Sequence, residues 1–232
     1  DRYFITGTWR RDKSSLFAED KNSADFYSVA GSWKFHNDIK LPEWFNTGKL
    51  RAGYGKIGNN AVSRYAYSSQ VNGFTNSSFN GSIAPGTSVV TLVDPNIQWE
   101  KTTTTNGAIE LGLFRNRLQF TAEYYVKETE DLLAQVPLPY STGSFPASIW
   151  TNAASMRNKG WEFTLGYTNH DREFKWGVNA NFSTLKNEVT KIGNDNAPIV
   201  RGYGGQFRTE VGRSVGEIYA YEVQGIFQSQ AE

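Results

Sequence analysis

The sequence predicts an all-β fold of antiparallel, up-and-down strands from a transmembrane β-barrel, with about eight strands in this chain. Two patterns carry this prediction: long segments alternate apolar with polar residues, and the connections between them alternate between short and long. The composition agrees, because aromatic residues make up 15% of the 232 residues and Gly numbers 22. Such a mixture favours strands and turns over helices.

Three segments alternate most clearly, at residues 118–127, 161–168 and 174–183. In each, one face consists entirely of apolar or aromatic residues, as a two-residue period requires of a strand between two environments. Their length is close to the roughly 9–11 residues that a tilted strand needs to cross a bilayer. Weaker alternation predicts further strands at residues 3–10, 26–35, 49–55, 102–114 and 217–227.

The predicted connections sort by length. The short or modest ones are residues 115–117, 169–173 and 37–48. The long ones, rich in Asn, Ser, Gly and Pro, are residues 11–25, 56–100, 129–158 and 187–216. Outer-membrane barrels have short periplasmic turns and long extracellular loops, so we expect Asn116 and His170 to face the periplasm.

Bulk properties limit the other classes of protein. No window approaches 18 apolar residues, which excludes a membrane helix, and a formal charge of +1 offers no basic stripe for nucleic acid. The absence of Cys excludes disulfides and thiolate metal sites, and no cofactor is expected. Because the chain opens on strand-like sequence at Asp1, we expect both ends to be cut from a longer protein.

Several short motifs resemble the barrel of SusC/RagA-type TonB-linked outer-membrane transporters, in the family's order. They are Arg10-Arg11-Asp12 with Ser14-Ser15-Leu16-Phe17, Leu50-Arg51-Ala52-Gly53-Tyr54-Gly55, Asn96 to Glu100, Leu111-Gly112-Leu113-Phe114, Tyr124-Tyr125 with Asp131-Leu132-Leu133, Asn158-Lys159-Gly160-Trp161-Glu162, and Val215-Gly216 to Phe227. The resemblance covers nearly the whole chain.

That resemblance implies a 22-stranded barrel with an N-terminal plug that imports oligosaccharides or peptides under a SusD-type surface lipoprotein. Energy would come from the TonB-ExbB-ExbD complex through an N-terminal part that residues 1–232 do not contain. About eight strands would form an open sheet with two raw edges, which hydrocarbon does not tolerate. We therefore expect residues 1–232 to be a partial barrel domain without the plug, with further chain completing the wall.

The candidate functional residues lie on the predicted lumen wall and in one long loop. Glu123 and Tyr125 belong to a polar stripe suited to a hydrated lumen, although wetting or contact with a plug would explain them equally well. Tyr140, Phe145 and Trp150 lie in the predicted loop 129–158 and could pack within the loop, against the lipoprotein, or on substrate. Trp150 is the preferred stacking platform among them.

Two other functions remain open from the sequence. A soluble extracellular carbohydrate-binding β protein could use the same loop aromatics, because sandwich strands also alternate. A glycosidase would use the carboxylates of Glu128, Glu130 and Asp131, although clustered charge at a strand end more often marks the exit into water. His36 and His170 are interpreted as a strand end and a solvated turn rather than as metal ligands.

Overall fold

The computed structural model describes residues 1–73, 75–89, 91–169, 173–193, 195–222 and 225. Within these ranges the helical residues are confined to 3-10 turns at Phe35–Asn37, Tyr140–Thr142 and Tyr203–Gly205, and no helix is long and apolar enough to cross a membrane. The strands are β1 (Tyr3–Lys13), β2 (Ser23–Trp33), β3 (Phe45–Asn59), β4 (Val71–Asn72), β5 (Ser77–Phe79), β6 (Ser82–Ala84), β7 (Ser88–Val89), β8 (Glu100–Leu113), β9 (Leu118–Pro137), β10 (Ser148–Asn169), β11 (Trp176–Ser183), β12 (Lys186–Ile192), β13 (Ile199–Arg201), β14 (Phe207–Thr209) and β15 (Glu217–Ile218).

One antiparallel sheet dominates the molecule. Its strands follow one another in the order β1, β2, β3, β8, β9, β10 and β11, with β12 also paired to β10. Every neighbour in space is therefore the next long strand along the chain, which is the up-and-down arrangement that the sequence predicted. The sheet does not close on itself within the described residues.

Strands β11 and β12 form one interrupted position in this wall. Both pair antiparallel with β10, and the interruption lies opposite Gly160 and Trp161. There the Thr184 hydroxyl accepts a hydrogen bond from the Trp161 backbone N–H at 3.0 Å, in place of a backbone carbonyl. The wall thus has seven positions, close to the predicted eight.

The two faces of the sheet differ in chemistry. On the apolar face, large side chains remain open to the surroundings: Ile5 is 83% exposed, Trp9 68% and Val178 58%. A soluble sandwich would bury such a face under a second sheet, and no second sheet covers it among the described residues. The polar face carries residues that include Lys49, Arg51, Asn106, Glu110, Gln119, Thr121, Glu123, Tyr125, Lys127, Asn179 and Asn181.

On the apolar face, the boundary at which apolar residues give way to polar ones runs obliquely across the rows of residues that are paired between neighbouring strands. Tyr27 on β2 is still apolar at the level where β3 has Lys56 and β9 has Glu128, whereas Lys159 on β10 already faces Val126 of β9. Strands of membrane barrels are tilted by about 35–45°, so a boundary parallel to the membrane must cross the rows in this way. The nine residues from 118 to 126 of β9, five of which lie on the apolar face, rise about 20 Å at that tilt, near the ~25 Å band of such barrels.

Several predicted boundaries are wrong. Residues 129–137 and 148–158, predicted as loop, continue β9 and β10, so that only residues 138–147 connect them. Here side chains of the hairpin, among them Leu133 and Trp150, pack against the connections of the sheet, so the hairpin keeps its inter-strand hydrogen bonds while the strict alternation disappears. The length contrast is consequently weaker than predicted, since the link 34–44 is not shorter than 138–147.

The last predicted strand, residues 217–227, is also wrong in its described part. Only Glu217–Ile218 is a strand, and it pairs with β14 in a small three-stranded sheet rather than with the wall. Residues 223, 224, 226 and 227 lie outside the described residues, as do His170 and residues 171 and 172 of the predicted turn 169–173.

A compact apolar cluster packs beside the loop end of the wall. We call Phe17, Phe26, Ala66, Ile97 and Trp99 the apolar cluster; Ile97 is fully buried, and the Trp99 ring centroid lies 5.5 Å from that of Phe17 and 5.6 Å from that of Phe26. The cluster joins the first connection, β2 and the end of the long connection 60–99. It therefore holds segments that are distant in sequence against the top of the sheet.

Candidate transport surface

The centre of the polar face carries an ionic network across β3, β8 and β9. Arg51 lies 2.8 Å from Glu110 and 2.7 Å from Glu123, and Lys49 lies 3.4 Å from Glu110. Asn106 donates a hydrogen bond of 2.7 Å to the second oxygen of Glu123. The two cations and two carboxylates alternate, so the network is neutral and ties three strands together.

The predicted site residue Glu123 therefore has partners within the protein, and contact with a ligand stays a prediction. Its side chain is 20% exposed and that of Arg51 is 36% exposed, so the pair is partly screened by solvent. Arg51 and Glu110 were not identified as candidate residues from the sequence. The alternation of Lys49 and Arg51 with Leu50 and Ala52 could have indicated them.

Tyr125 lies on the same polar face, one row beyond Glu123 and opposite Asn106 and Gly160. A Cβ placed on Gly160 would lie 3.1 Å from the Tyr125 hydroxyl oxygen, so the tyrosine extends over the glycine. Its side chain is half-buried, and Lys127, at the next position of this face, is exposed. The polar stripe predicted along β9 is thus continuous, while its ligand role stays a prediction.

Tyr140 and Phe145 lie in the turn that connects β9 and β10. Tyr140 is 91% exposed and Phe145 is 80% exposed, so both rings stand clear of the protein. Exposed aromatic rings at the tip of a long hairpin are suited to contact with another molecule. The structure does not bring them together with Trp150.

Trp150 lies within β10, directly opposite Gln135 of β9, rather than in a loop. It is half-buried and packs, together with Leu133, against the apolar cluster. Of the roles open to it, this geometry favours packing, and stacking on substrate stays a prediction.

A set of amide hydrogen bonds fastens the long connection to the β9–β10 hairpin. The Asn152 side chain accepts from the Gln98 backbone N–H at 2.9 Å and donates to the Gln98 carbonyl at 3.0 Å and the Asp131 carbonyl at 2.6 Å. Gln98 in turn donates to the Asp131 carboxylate at 2.9 Å. Asp131 has a φ of 55° at a point where the register between the strands shifts. This irregularity re-aims its side chain towards the connection.

At the opposite end of the wall, the Asp38 carboxylate interacts with three donor side chains. The Trp33 indole N–H donates to it at 2.7 Å, the Tyr3 hydroxyl at 3.2 Å, and Arg2 forms an ion pair with it. The hydrogen bond from Trp33 holds the pKa of Asp38 below its ordinary value of 3.8, and Tyr3 and Arg2 act in the same direction. The link 34–44 is thereby tied to the first two strands.

Three of the groups considered for catalysis or metal binding, Glu128, Asp131 and His36, have structural partners. Glu128 accepts a hydrogen bond of 2.7 Å from Arg157, and Asp131 accepts from Gln98. His36 places Nδ1 2.9 Å from the Gly48 carbonyl oxygen. In the part of the chain that the structure describes, no three His, Cys, Asp or Glu side chains are close enough to hold a metal ion.

A single-layer meander with an exposed apolar face and a charged face defines the wall of a membrane β-barrel, because such a sheet satisfies its backbone in hydrocarbon only as part of a barrel. The comparison with known families makes this specific. The chain belongs to the TonB dependent receptor-like, β-barrel family, whose sequence pattern matches residues 1–209. This is a family of outer-membrane proteins.

Similar proteins agree with that membership. TonB-dependent receptor P39 of Formosa agariphila is 35% identical over 231 residues, covering 98% of this chain and 21% of the relative. TonB-dependent receptor SusC of Bacteroides thetaiotaomicron is 30% identical over 239 residues, covering 96% of this chain and 24% of the relative. The chain thus spans about a fifth to a quarter of the length of these relatives.

The fold has a close counterpart among solved structures. The RagAB peptide transporter superposes with a TM-score of 0.81 at 30% identity, covering 91% of this chain and 23% of the other. Its open-open state, described as a peptide importer, superposes with a TM-score of 0.79 at 30% identity. The predicted resemblance to SusC and RagA is therefore confirmed.

Proposed function

We propose that this chain forms part of the barrel wall of a TonB-dependent importer for oligosaccharides or peptides, working with a SusD-type surface lipoprotein. The observation that carries the proposal is the sequential antiparallel pairing of seven wall positions, which separates a charged face from an apolar face. The apolar face contacts lipid, and the polar face lines a water-filled lumen. The wall itself makes and breaks no bond, and TonB supplies the energy through another part of the protein.

The hairpin of β9 and β10 forms part of the extracellular mouth. Tyr140 and Phe145 contact the lipoprotein or the substrate, since both rings are almost fully exposed at its tip. Trp150 supports the mouth from within by packing on the apolar cluster. Glu123 and Tyr125 line the passage below it.

Uptake by the full-length transporter tests the import function. A deletion strain complemented with the wild-type gene should accumulate a labelled oligosaccharide or a labelled oligopeptide, and only while TonB is present. A panel of labelled oligosaccharides and oligopeptides is used. If the complemented strain accumulates none of them above the level of the deletion strain, the proposal is contradicted. Uptake that persists without TonB would contradict its energy source.

The mouth is tested separately with the variant that carries both Tyr140→Ala and Phe145→Ala. It should reduce co-purification of the lipoprotein or the affinity for the imported ligand while leaving the folded fraction unchanged. Ser141→Ala, in the same exposed turn, is the matched control. Trp150→Ala should instead lower stability, because it removes packing from the cluster. If the double variant matches its control in both binding assays, the hairpin tip has no recognition role.

A further inference from the structure

The apolar face contains a groove of about 690 Å³ that crosses β1, β2, β3, β8 and β9. Its floor consists of Gly31, Ala52 and Gly107, which are direct neighbours across three strands. Its walls are formed by the large side chains of Tyr3, Ile5, Trp33, Leu50, Tyr124 and Trp161. The groove is open to the surroundings along its length, so an extended molecule could lie in it on the surface of the sheet.

Packing within the sheet does not explain the two glycines of the floor. A Cβ placed on Gly31 would have its nearest neighbour 4.0 Å away, at the Phe4 carbonyl, and one on Gly107 would have Arg51 at the same distance. Gly53 on the polar face differs, because there a Cβ would lie 2.6 Å from the Asn106 side chain. Glycine weakens a strand interior and marks positions that another molecule approaches closely. The floor therefore leaves room for a molecule outside the sheet.

A pair of lysines stands beside the Trp161 end of the groove. Lys159 is two residues along the same face of β10, about 6.6 Å away, and lies directly opposite Lys186 of β12. Like charges in directly opposed positions destabilise a sheet. Lys186 reaches Glu188 only at 3.9 Å with its side chain 66% exposed, and Lys159 has no ion-pair partner among the described residues. An anion between the two ammonium groups would remove this repulsion.

We propose that the groove and the lysine pair together bind a phosphate-bearing membrane lipid. The phosphate lies between Lys159 and Lys186, and an acyl chain passes along the rings of Trp161 and Tyr124 and extends over Gly107, Ala52 and Gly31. Both parts fit the place where they occur, since the lysines lie at the edge of the apolar band and the groove lies within it. The inference rests on the proposed contact of the apolar face with lipid.

Lipid retention by the full-length transporter, delipidated in detergent, tests the site. Phosphatidylglycerol, which is anionic, and phosphatidylcholine, which is zwitterionic, are added separately, and bound lipid is counted by native mass spectrometry. The double variant Lys159→Gln with Lys186→Gln should weaken retention of phosphatidylglycerol by about thirtyfold. It should weaken retention of phosphatidylcholine less, because the choline cation of that lipid already offsets the charge of its phosphate. Lys127→Gln, a strand lysine on the polar face, is the matched control.

The groove is tested by filling it. Gly107→Leu should weaken retention of both lipids, because its side chain occupies the path of the acyl chain without clashing with the sheet. Gly7→Leu adds the same side chain to the apolar face outside the groove, where a Cβ also has its nearest neighbour at 4.0 Å, and should leave retention unchanged. Lipid retention that is equal in these two variants would overturn the inference.

Other results would overturn it in informative ways. A lysine variant that retains phosphatidylglycerol as well as its control would show that the pair binds no phosphate. If Gly107→Leu alters the oligomeric state while lipid retention is unchanged, the groove accommodates a second copy of the protein instead. Failure of the proposed function is recognised separately: if the apolar face does not contact lipid at all, Val178→Lys will be tolerated. If Val178→Lys is destabilising but the lysine and glycine variants retain lipid like their controls, only the lipid site is wrong.

Discussion

Placing a charge on the apolar face at Val178 is the most direct test of the assignment of the two faces. Val178 lies on β11, opposite Tyr167, and the residue is 58% exposed. The apolar-face residues of β11 run from Trp176 to Phe182, so Val178 is only about 3 Å from the middle of the band along the membrane normal. Lysine near the midplane costs about 2–4 kcal/mol in such barrels, and we expect about 2–3 kcal/mol for Val178→Lys.

The neighbouring residue provides the matched control. Asn179 faces the polar side opposite Gly166, where a longer side chain reaches water, so Asn179→Lys should cost at most about 1 kcal/mol. The full-length transporter is folded into phospholipid vesicles, and the urea midpoint of the heat-resistant folded form is measured by gel electrophoresis. Equal shifts for the two variants would refute the register and with it the assignment of the faces.

Three further predictions concern the network, pH and orientation. Arg51→Ala should lower the unfolding free energy by about 0.5–1 kcal/mol, with a smaller loss in high salt, and a double-mutant cycle with Glu123→Gln should show that most of the loss is shared. Because the folded-state pKa of Asp38 is lowered, its stabilisation is present above pH 3.8 and lost as the pH falls through the folded-state value, so the acid-unfolding curve should flatten in Asp38→Asn. An impermeant maleimide on whole cells should label Cys introduced at Tyr140 but reach Cys at Asn116 only after the outer membrane is opened; labelling of both would contradict the orientation.

Alternation determined the part of the fold that lies within the proposed membrane band. Residues 118–127 and 161–168 are strands with the faces that the sequence predicted, because a strand between lipid and water must change chemistry at every residue. The same logic failed at residues 129–158. There the hairpin lies beyond the proposed band, with Leu133 and Trp150 packed against the apolar cluster, so its strands mix polar and apolar residues as a loop does, and only inter-strand hydrogen bonding distinguishes the two.

The candidate site residues also differ in how much the sequence alone could predict about them. The sequence placed Glu123 and Tyr125 on the polar stripe, since the alternation of residues along a strand alone decides the face on which each side chain lies. It could not provide the partner of Glu123, because Arg51 meets Glu123 only through the register of β3, β8 and β9, and a 40-residue connection (60–99) separates β3 from β8. Register is set by the sum of many inter-strand hydrogen bonds and side-chain contacts, and no local pattern carries it.

Alternation by itself determined most of the long strands and the apolar face of each, and the order of the motifs indicated the family of membrane barrels. Only the tertiary structure decided where Trp150 packs, which residues form the apolar cluster, and that Gly31, Ala52 and Gly107 align into a groove. In a strand sequence each of these residues is an isolated aromatic or a small residue. Their neighbours come from strands and connections far along the chain, and the contacts exist only once the pairing of those strands is established.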